Sequence, residues 1–290
     1  MSNGRTILEV PIFNRTSVLP AIAAGCRRVE LNATGSYPVG GTTPSLELVR
    51  DVLCDLDSLP FPVPLRVMIR PSGGDFVYIG EEQSLIRTSI EQIKPLLRAE
   101  RGDGFVFGAL RPARENGLRR VDWRLCERVV GWCEPLPVVC HRAFDEAVET
   151  DEPVEMGMAR LAVRVGGVGF KGLLTSGGPG NAGDNLPVLR GIVEEIGGTM
   201  EVVVGGGVRS GNVVRRLMST RSGGSWAFGR RMEIQEMLGK RNRQAASSED
   251  VRLRTHPYLR PGTMNLRLGN PVPSVIASRT VGEAAGGIQG

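Results

Sequence analysis

LRVMIRPSGGDF, residues 65–76, reads as a buried strand running directly into a charged, glycine-rich loop. Leu65 to Ile69 form the strand, Arg70 sits at its end, and Pro71 fixes the exit of the backbone. Gly73 and Gly74 then allow a tight turn before Asp75. A largely apolar strand that ends in Arg and Asp across a glycine pair is how an α/β protein presents polar groups at one rim of its sheet. The same pattern recurs on both sides of this stretch.

Upstream, Thr6 to Val10 is a short strand carrying Glu9, Ser17 to Gly25 a small apolar helix, and Arg28 to Ala33 a second strand carrying Glu30. Gly35 to Thr43 is a loop. Thr43 is expected as the N-cap of the next helix, with proline in its first turn and Glu47 behind it. Downstream, helices are predicted over Glu81–Ala99, Asp122–Cys133, Pro153–Val165, Leu186–Ile196 and Gly211–Met218. Strands are predicted over Gly104–Leu110, Leu136–Cys140, Gly172–Thr175, Glu201–Val204 and Ser225–Phe228. Strand and helix thus alternate eight times, which points to a parallel sheet covered by helices. Units of this size fit a closed (β/α)8 TIM barrel better than an open sheet, whose first strand would end in a GxGxxG turn rather than PIFN. The expected organisation is a barrel over residues 1–238 and a polar extension over 239–290. The extension is rich in Arg, Ser, Gly and Pro, with too little apolar pattern for a packed core, and is expected to be partly disordered.

The composition, 41% hydrophobic and 23% charged, is that of a water-soluble globular chain. The net charge of +5 comes mostly from arginines late in the chain that are not interleaved with aromatics, which argues against a nucleic-acid surface. Five cysteines with no CxxC, no N-terminal apolar targeting segment and no run long enough to span a bilayer point to a cytoplasmic protein with reduced thiols and no membrane partner. The sequence is compatible with a homo-oligomer.

Barrel chemistry sits where the strands end. Glu9, Glu30, Arg70, Asp75, His141, Arg142, Asp145, Thr175, Ser176 and Gly205–Gly207 fall there. In a catalytic reading Arg70 and Arg142 clamp an anion, Ser176 and the Gly205, Gly206 and Gly207 amides cradle it, and Glu9, Glu30 or His141 moves a proton. In the alternative reading Glu9 and Glu30 form an interior salt-bridge layer and His141 is a satisfied rim side chain. Arg66, Met68 and Arg70 share one face of their strand, while His141 and Arg142 point opposite ways. Cys140, next to the rim, is with Met68 the best pair of soft metal donors; Cys126 and Cys133 belong to a helix.

LEV at 8–10, RVEL at 28–31, GGTTPS at 40–45, MIRPSGGDF at 68–76, DGFVFGAL at 103–110, HRAFD at 141–145, LLTSGG at 173–178 and GGG at 205–207 together resemble the CutC copper homeostasis family. The resemblance implies a (β/α)8 barrel, a cytoplasmic location and a role in copper homeostasis through copper binding. Many family members carry cysteines where this chain has Pro11 and Asn32, and a Phe-His pair where it has Ser225 to Arg230. Three readings follow. One is a copper homeostasis protein that binds a copper ion. Another is a barrel enzyme acting by acid/base chemistry on a small anionic metabolite, phosphorylated or not. The last is an interaction module working through the basic extension.

Overall fold

Alternating strands bury one side chain in two on each face, and here both faces are covered. The computed structural model describes residues 7–113, 119–147, 156–196 and 198–208, with the backbone of 154–155 and 226–229. The chain runs β1 (Ile7–Ile12), α1 (Val18–Ala23), β2 (Arg28–Leu31), α2 (Leu46–Asp57), β3 (Leu65–Met68), α3 (Glu81–Ile93) and β4 (Gly104–Phe107). It continues through α4 (Trp123–Cys133), β5 (Val138–Cys140), α5 (Val154–Val168), β6 (Gly172–Thr175), α6 (Leu186–Ile196) and β7 (Glu201–Val204). β1 to β7 form one parallel, curled, TIM-barrel-like sheet in sequence order, with each strand beside the next. The backbone of β8 (Trp226–Gly229) runs parallel to both β7 and β1.

The convex face of the sheet carries Val10, Ile12, Val29, Leu31, Leu65, Val67, Ile69, Phe105, Phe107 and Cys140, which pack against the helices in one core. Each such side chain contributes roughly 1.5–3 kcal/mol by leaving water. α2 shows the matching helical stripe: Val49, Val52, Leu53 and Leu56 are buried at a spacing of three and four. The concave face holds a small apolar cluster of Met68, Val106 and Val139, with Leu174 against it, and a group of charged residues.

Two of the element ends that differ from the sequence reading have a clear physical reason. The helix cap is Ser45, whose hydroxyl accepts from Leu48 N at 3.2 Å. Thr43 instead pairs with the backbone of Arg70, donating N–H to its carbonyl at 2.8 Å and accepting its N–H at 2.7 Å. The helix expected to reach Ala99 ends at Ile93 in a short 3-10 turn, Lys94–Leu96, because Pro95 supplies no amide to continue it. The predicted helix Gly211–Met218 and the extension 239–290 lie outside the described residues.

Asp103 sets the start of β3. It is fully buried, and its carboxylate accepts the backbone N–H of Leu65 and of Arg98, each at 2.9 Å. Arg101 closes the arrangement from the side at 2.7 Å. This anchoring delivers the end of β3, with Arg70, to the rim.

Candidate functional site

A cavity of about 500 Å³ opens where the strands end. Its wall includes Glu9, Pro11, Glu30, Met68, Arg70, His141, Arg142, Asp145, Leu174 and Gly205–Gly207, so six of the seven acid/base and clamp candidates meet there. Asp75 is the exception. It is exposed and does not line the cavity; its carboxylate accepts from Val77 N at 3.3 Å and its carbonyl from Arg119 Nη1 at 3.2 Å.

The two glutamates divide into different roles. Arg28 is buried and forked between Glu9 and Glu201, with Nη1 2.9 Å from Glu201. Glu9 therefore belongs to an interior ion layer. Glu30 has no arginine partner among the described residues; its Oε1 accepts from Asn32 Nδ2 at 3.0 Å. Burial, with Glu9 nearby, raises its acidity constant from 4.5 to about 7. A carboxyl of that acidity in a cavity wall both takes and gives a proton near neutrality. Asn32 stands where many CutC-like sequences carry cysteine, and only Gly41 can face it: a Cβ there would lie 2.0 Å from Asn32 Oδ1.

His141 is buried, and its Nδ1 accepts the N–H of Ala143 at 3.1 Å. That bond places the proton on Nε2, which has no partner among the described residues. Burial, followed by the charge of Arg70, lowers its acidity constant to about 3, so the ring is neutral at physiological pH. Gly108 makes room for it, since a Cβ there would meet Nδ1 at 2.7 Å. Phe76 covers its other side at 4.9 Å between ring centroids. Phe76 is the one described non-glycine residue with positive φ, at 62°. Such a conformation is costly for a bulky residue and is held here by Leu110 N on its carbonyl at 2.9 Å.

Arg70 turns its two Nη groups to the protein itself, while its buried Nε has no partner among the described residues. Its guanidinium donates to the carbonyls of Val39 at 2.6 Å, Gly41 at 3.1 Å and Gly74 at 2.9 Å, and lies over Phe76. It fastens two loops to the rim and keeps Phe76 against His141. Arg142 is the more exposed of the two cavity arginines, and its Nη2 donates to Gly180 O at 3.4 Å. Its Nε is held by Asp145 at 2.9 Å and its Nη2 by Ser176 at 3.1 Å, while its side chain stays 44% exposed at the cavity edge.

Asp145 is a buried hub rather than a reacting group. Beyond Arg142 it accepts from Thr175 Oγ1, Ser176 N at 2.9 Å, Ser176 Oγ at 2.8 Å and Gly178 N at 3.2 Å. Ser176 is spent in the same network. The glycine run is shaped by packing: Gly205 N donates to Thr175 O at 2.9 Å, so that amide is not available to a ligand. A Cβ on Gly207 would lie 2.3 Å from Asn181 Oδ1, and one on Gly206 would lie 3.4 Å from Arg142 Cζ. Glycine here lets the loop after β7 close onto the loop after β6.

The sequence reading missed Phe76, Gly108, Asn32 and Asn181. A glycine ending a strand inside GFVFGAL was the legible hint of a close approach; the left-handed backbone of Phe76 left no trace in the residue types.

Residues 6–224 match the CutC family. The chain belongs to this family. It is 35% identical over 211 residues to the human copper homeostasis protein cutC homolog, an alignment covering 73% of this chain and 68% of the relative. The Caenorhabditis elegans homolog is 34% identical over 74% of this chain and 76% of its own length. The crystal structure of the Streptococcus agalactiae CutC superposes with a TM-score of 0.63 at 27% identity, covering 78% of this chain and 98% of that one.

Copper, which the family's name brings forward, is not fitted by the two soft donors expected for it, Cys140 and Met68. Cu(I) prefers thiolate and thioether ligands. Met68 packs on the concave face with Val106 and Val139, whereas Cys140 is in the convex core with Phe107, its strand neighbour. The two sulfurs expected to act together are on opposite sides of the sheet. Burial also holds the Cys140 thiol well above its ordinary acidity constant, and the thiol leans toward His141 O at 3.8 Å. Among the described residues no three His, Cys, Asp or Glu side chains group as a metal site.

Proposed function

We propose that this CutC-family chain works as an acid/base enzyme on a small anionic metabolite, with Glu30 as the proton-transfer group and Arg142 holding the anionic end at the rim. The observation that carries it is Glu30: a buried carboxyl in the cavity wall, without an arginine partner and held near pH 7 by burial. A cavity of about 500 Å³ at the strand ends suits a small molecule. On this reading the copper homeostasis of the relatives is a cellular consequence of the reaction, and the chain acts in the cytoplasm, in keeping with five free cysteines. The backbone of β8 between β7 and β1 supports a complete (β/α)8 barrel over residues 1–238, with 239–290 a separate extension.

Two measurements test this. Small phosphates and carboxylates, inorganic phosphate among them, are titrated against the full chain by ligand-observed NMR. Saturable binding that weakens about tenfold in Arg142→Ala is expected; no binding, or binding indifferent to Arg142, rejects the proposal. Separately, the reduced chain is titrated with Cu(I) against a chromophoric chelator. No stoichiometric competition is expected, and a site lost in both Cys140→Ser and Met68→Leu would overturn the non-metal reading.

A further inference from the structure

We propose that the reaction is enolisation of a small α-hydroxy carbonyl compound, with the Nε2–H of His141 holding the carbonyl oxygen and Glu30 carrying the proton at the adjacent carbon. This rests on the acid/base reading of the cavity and deepens it, because it names the bond that breaks and separates the two polar groups by role.

The geometry of His141 is that of a fixed donor. Ala143 N–H occupies Nδ1 at 3.1 Å, Phe76 and Phe107 hold the ring faces, and Gly108 removes the side chain that would displace it. His141 is 3% exposed and lines the cavity, and its buried Nε2 has no protein partner among the described residues. A buried donor without an acceptor points to a ligand oxygen. Arg70, the charged group beside it, and burial keep the imidazole neutral. A neutral imidazole cannot shuttle protons at pH 7. It can still donate to an oxygen that becomes negative, where a weakly acidic N–H is a good match. The proton must then travel through another group.

Glu30 is that group. Asn32 holds its Oε1, leaving Oε2 for transfer. Glu30 carboxylate takes the hydrogen on the carbon next to the carbonyl as a proton. The C–H pair becomes the enolate C=C bond, and the carbonyl π pair moves to the oxygen held by His141. Return of the proton to the same carbon restores the substrate. Return to the neighbouring carbon, with the hydroxyl proton passing to the first oxygen, gives the isomeric carbonyl compound. No external oxidant or reductant is required.

The chain has two histidines, so ¹⁵N-labelled imidazole resonances of the full chain are assigned with His256→Gln. In the uncomplexed protein His141 is expected as the Nε2–H tautomer, unchanged from pH 5 to 9; a titrating ring or an Nδ1–H tautomer overturns the proposal. Glycolohydroxamate, an enediolate mimic, is then added. A downfield Nε2–H, with affinity lost about 100-fold in His141→Ala and largely kept in His141→Gln, is expected. Circular dichroism confirms that each variant is folded. If the hydroxamate fails while anions still bind through Arg142, this inference falls and the acid/base site stands. If neither binds, both fall.

Discussion

Glu9 and Glu30 sit on adjacent strands of the same concave face, yet of the two only Glu9 has an arginine partner among the described residues. The consequence for Glu30 is a pH-dependent stability. Its folded value, about 7, is above its ordinary 4.5, so the folded chain holds the proton more tightly than the unfolded one. The stabilising contribution is complete below about pH 4.5 and is lost as pH rises through 7. Glu30→Gln, which never ionises, should therefore gain on the native protein between pH 5 and pH 8, by up to about 3 kcal/mol. Urea denaturation at the two pH values measures this; a constant difference would contradict it. The slot around His141 gives a second expectation. Gly108→Ala drives a methyl group into the imidazole, at 2.7 Å from Nδ1, and should cost about 1–3 kcal/mol of stability. The same change should displace the Nε2–H signal, which NMR reads directly.

At the scale of elements, the short 3-10 helix Arg142–Glu146 after β5 is tied to the loop after β6 by one carboxylate. Asp145 receives the donors of Thr175, Ser176, Gly178 and Arg142 in a buried setting. Removing it leaves several of them unsatisfied and detaches Arg142 from its brace. Asp145→Ala should lower stability by about 3 kcal/mol or more. Anion affinity should fall alongside, in thermal melts and titrations of the same sample. Full stability with Arg142 still fixed would show that the hub is dispensable. The loop after β7 needs no such anchor, because Gly206 O accepts from Ala182 N at 2.9 Å and its glycines allow direct packing.

Across the whole molecule, the two buried titrating groups of the cavity oppose each other. His141 has its acidity constant lowered from 6.5 to about 3, so its stabilising share is present above pH 6.5 and is lost as pH falls toward 3. Glu30 acts in the other direction, between pH 4.5 and 7. Between pH 6.5 and 4.5 the two shares therefore nearly cancel in the native chain, and His141→Gln, which keeps only the Glu30 share, should gain on the native chain along that acid limb. An acid limb identical in the variant would place the His141 charge elsewhere in the balance. The ion layer of Arg28, Glu9 and Glu201 is the third charged feature of the concave face. It links β1, β2 and β7, and so holds together strands far apart in the sequence.

Residue order by itself determined the alternation of strand and helix, the parallel sheet, the rim positions of Glu9, Glu30, Arg70, His141, Arg142 and Asp145, and the family. Those features follow from local periodicity, from glycine and proline punctuation and from motif spacing, all of which are written along the chain. What only the tertiary structure decided is which polar groups are already spent. Arg70 is consumed by the carbonyls of Val39, Gly41 and Gly74, and Asp145 by its donors. Cys140 and Met68 are on opposite faces, and of the carboxylates lining the cavity Glu30 is the one without an arginine partner among the described residues. Partners of this kind are up to 173 positions apart, as Arg28 and Glu201 are, and no local pattern carries them. Hydrogen bonding and burial set a side chain's chemistry, and both are properties of the neighbours that folding brings to it.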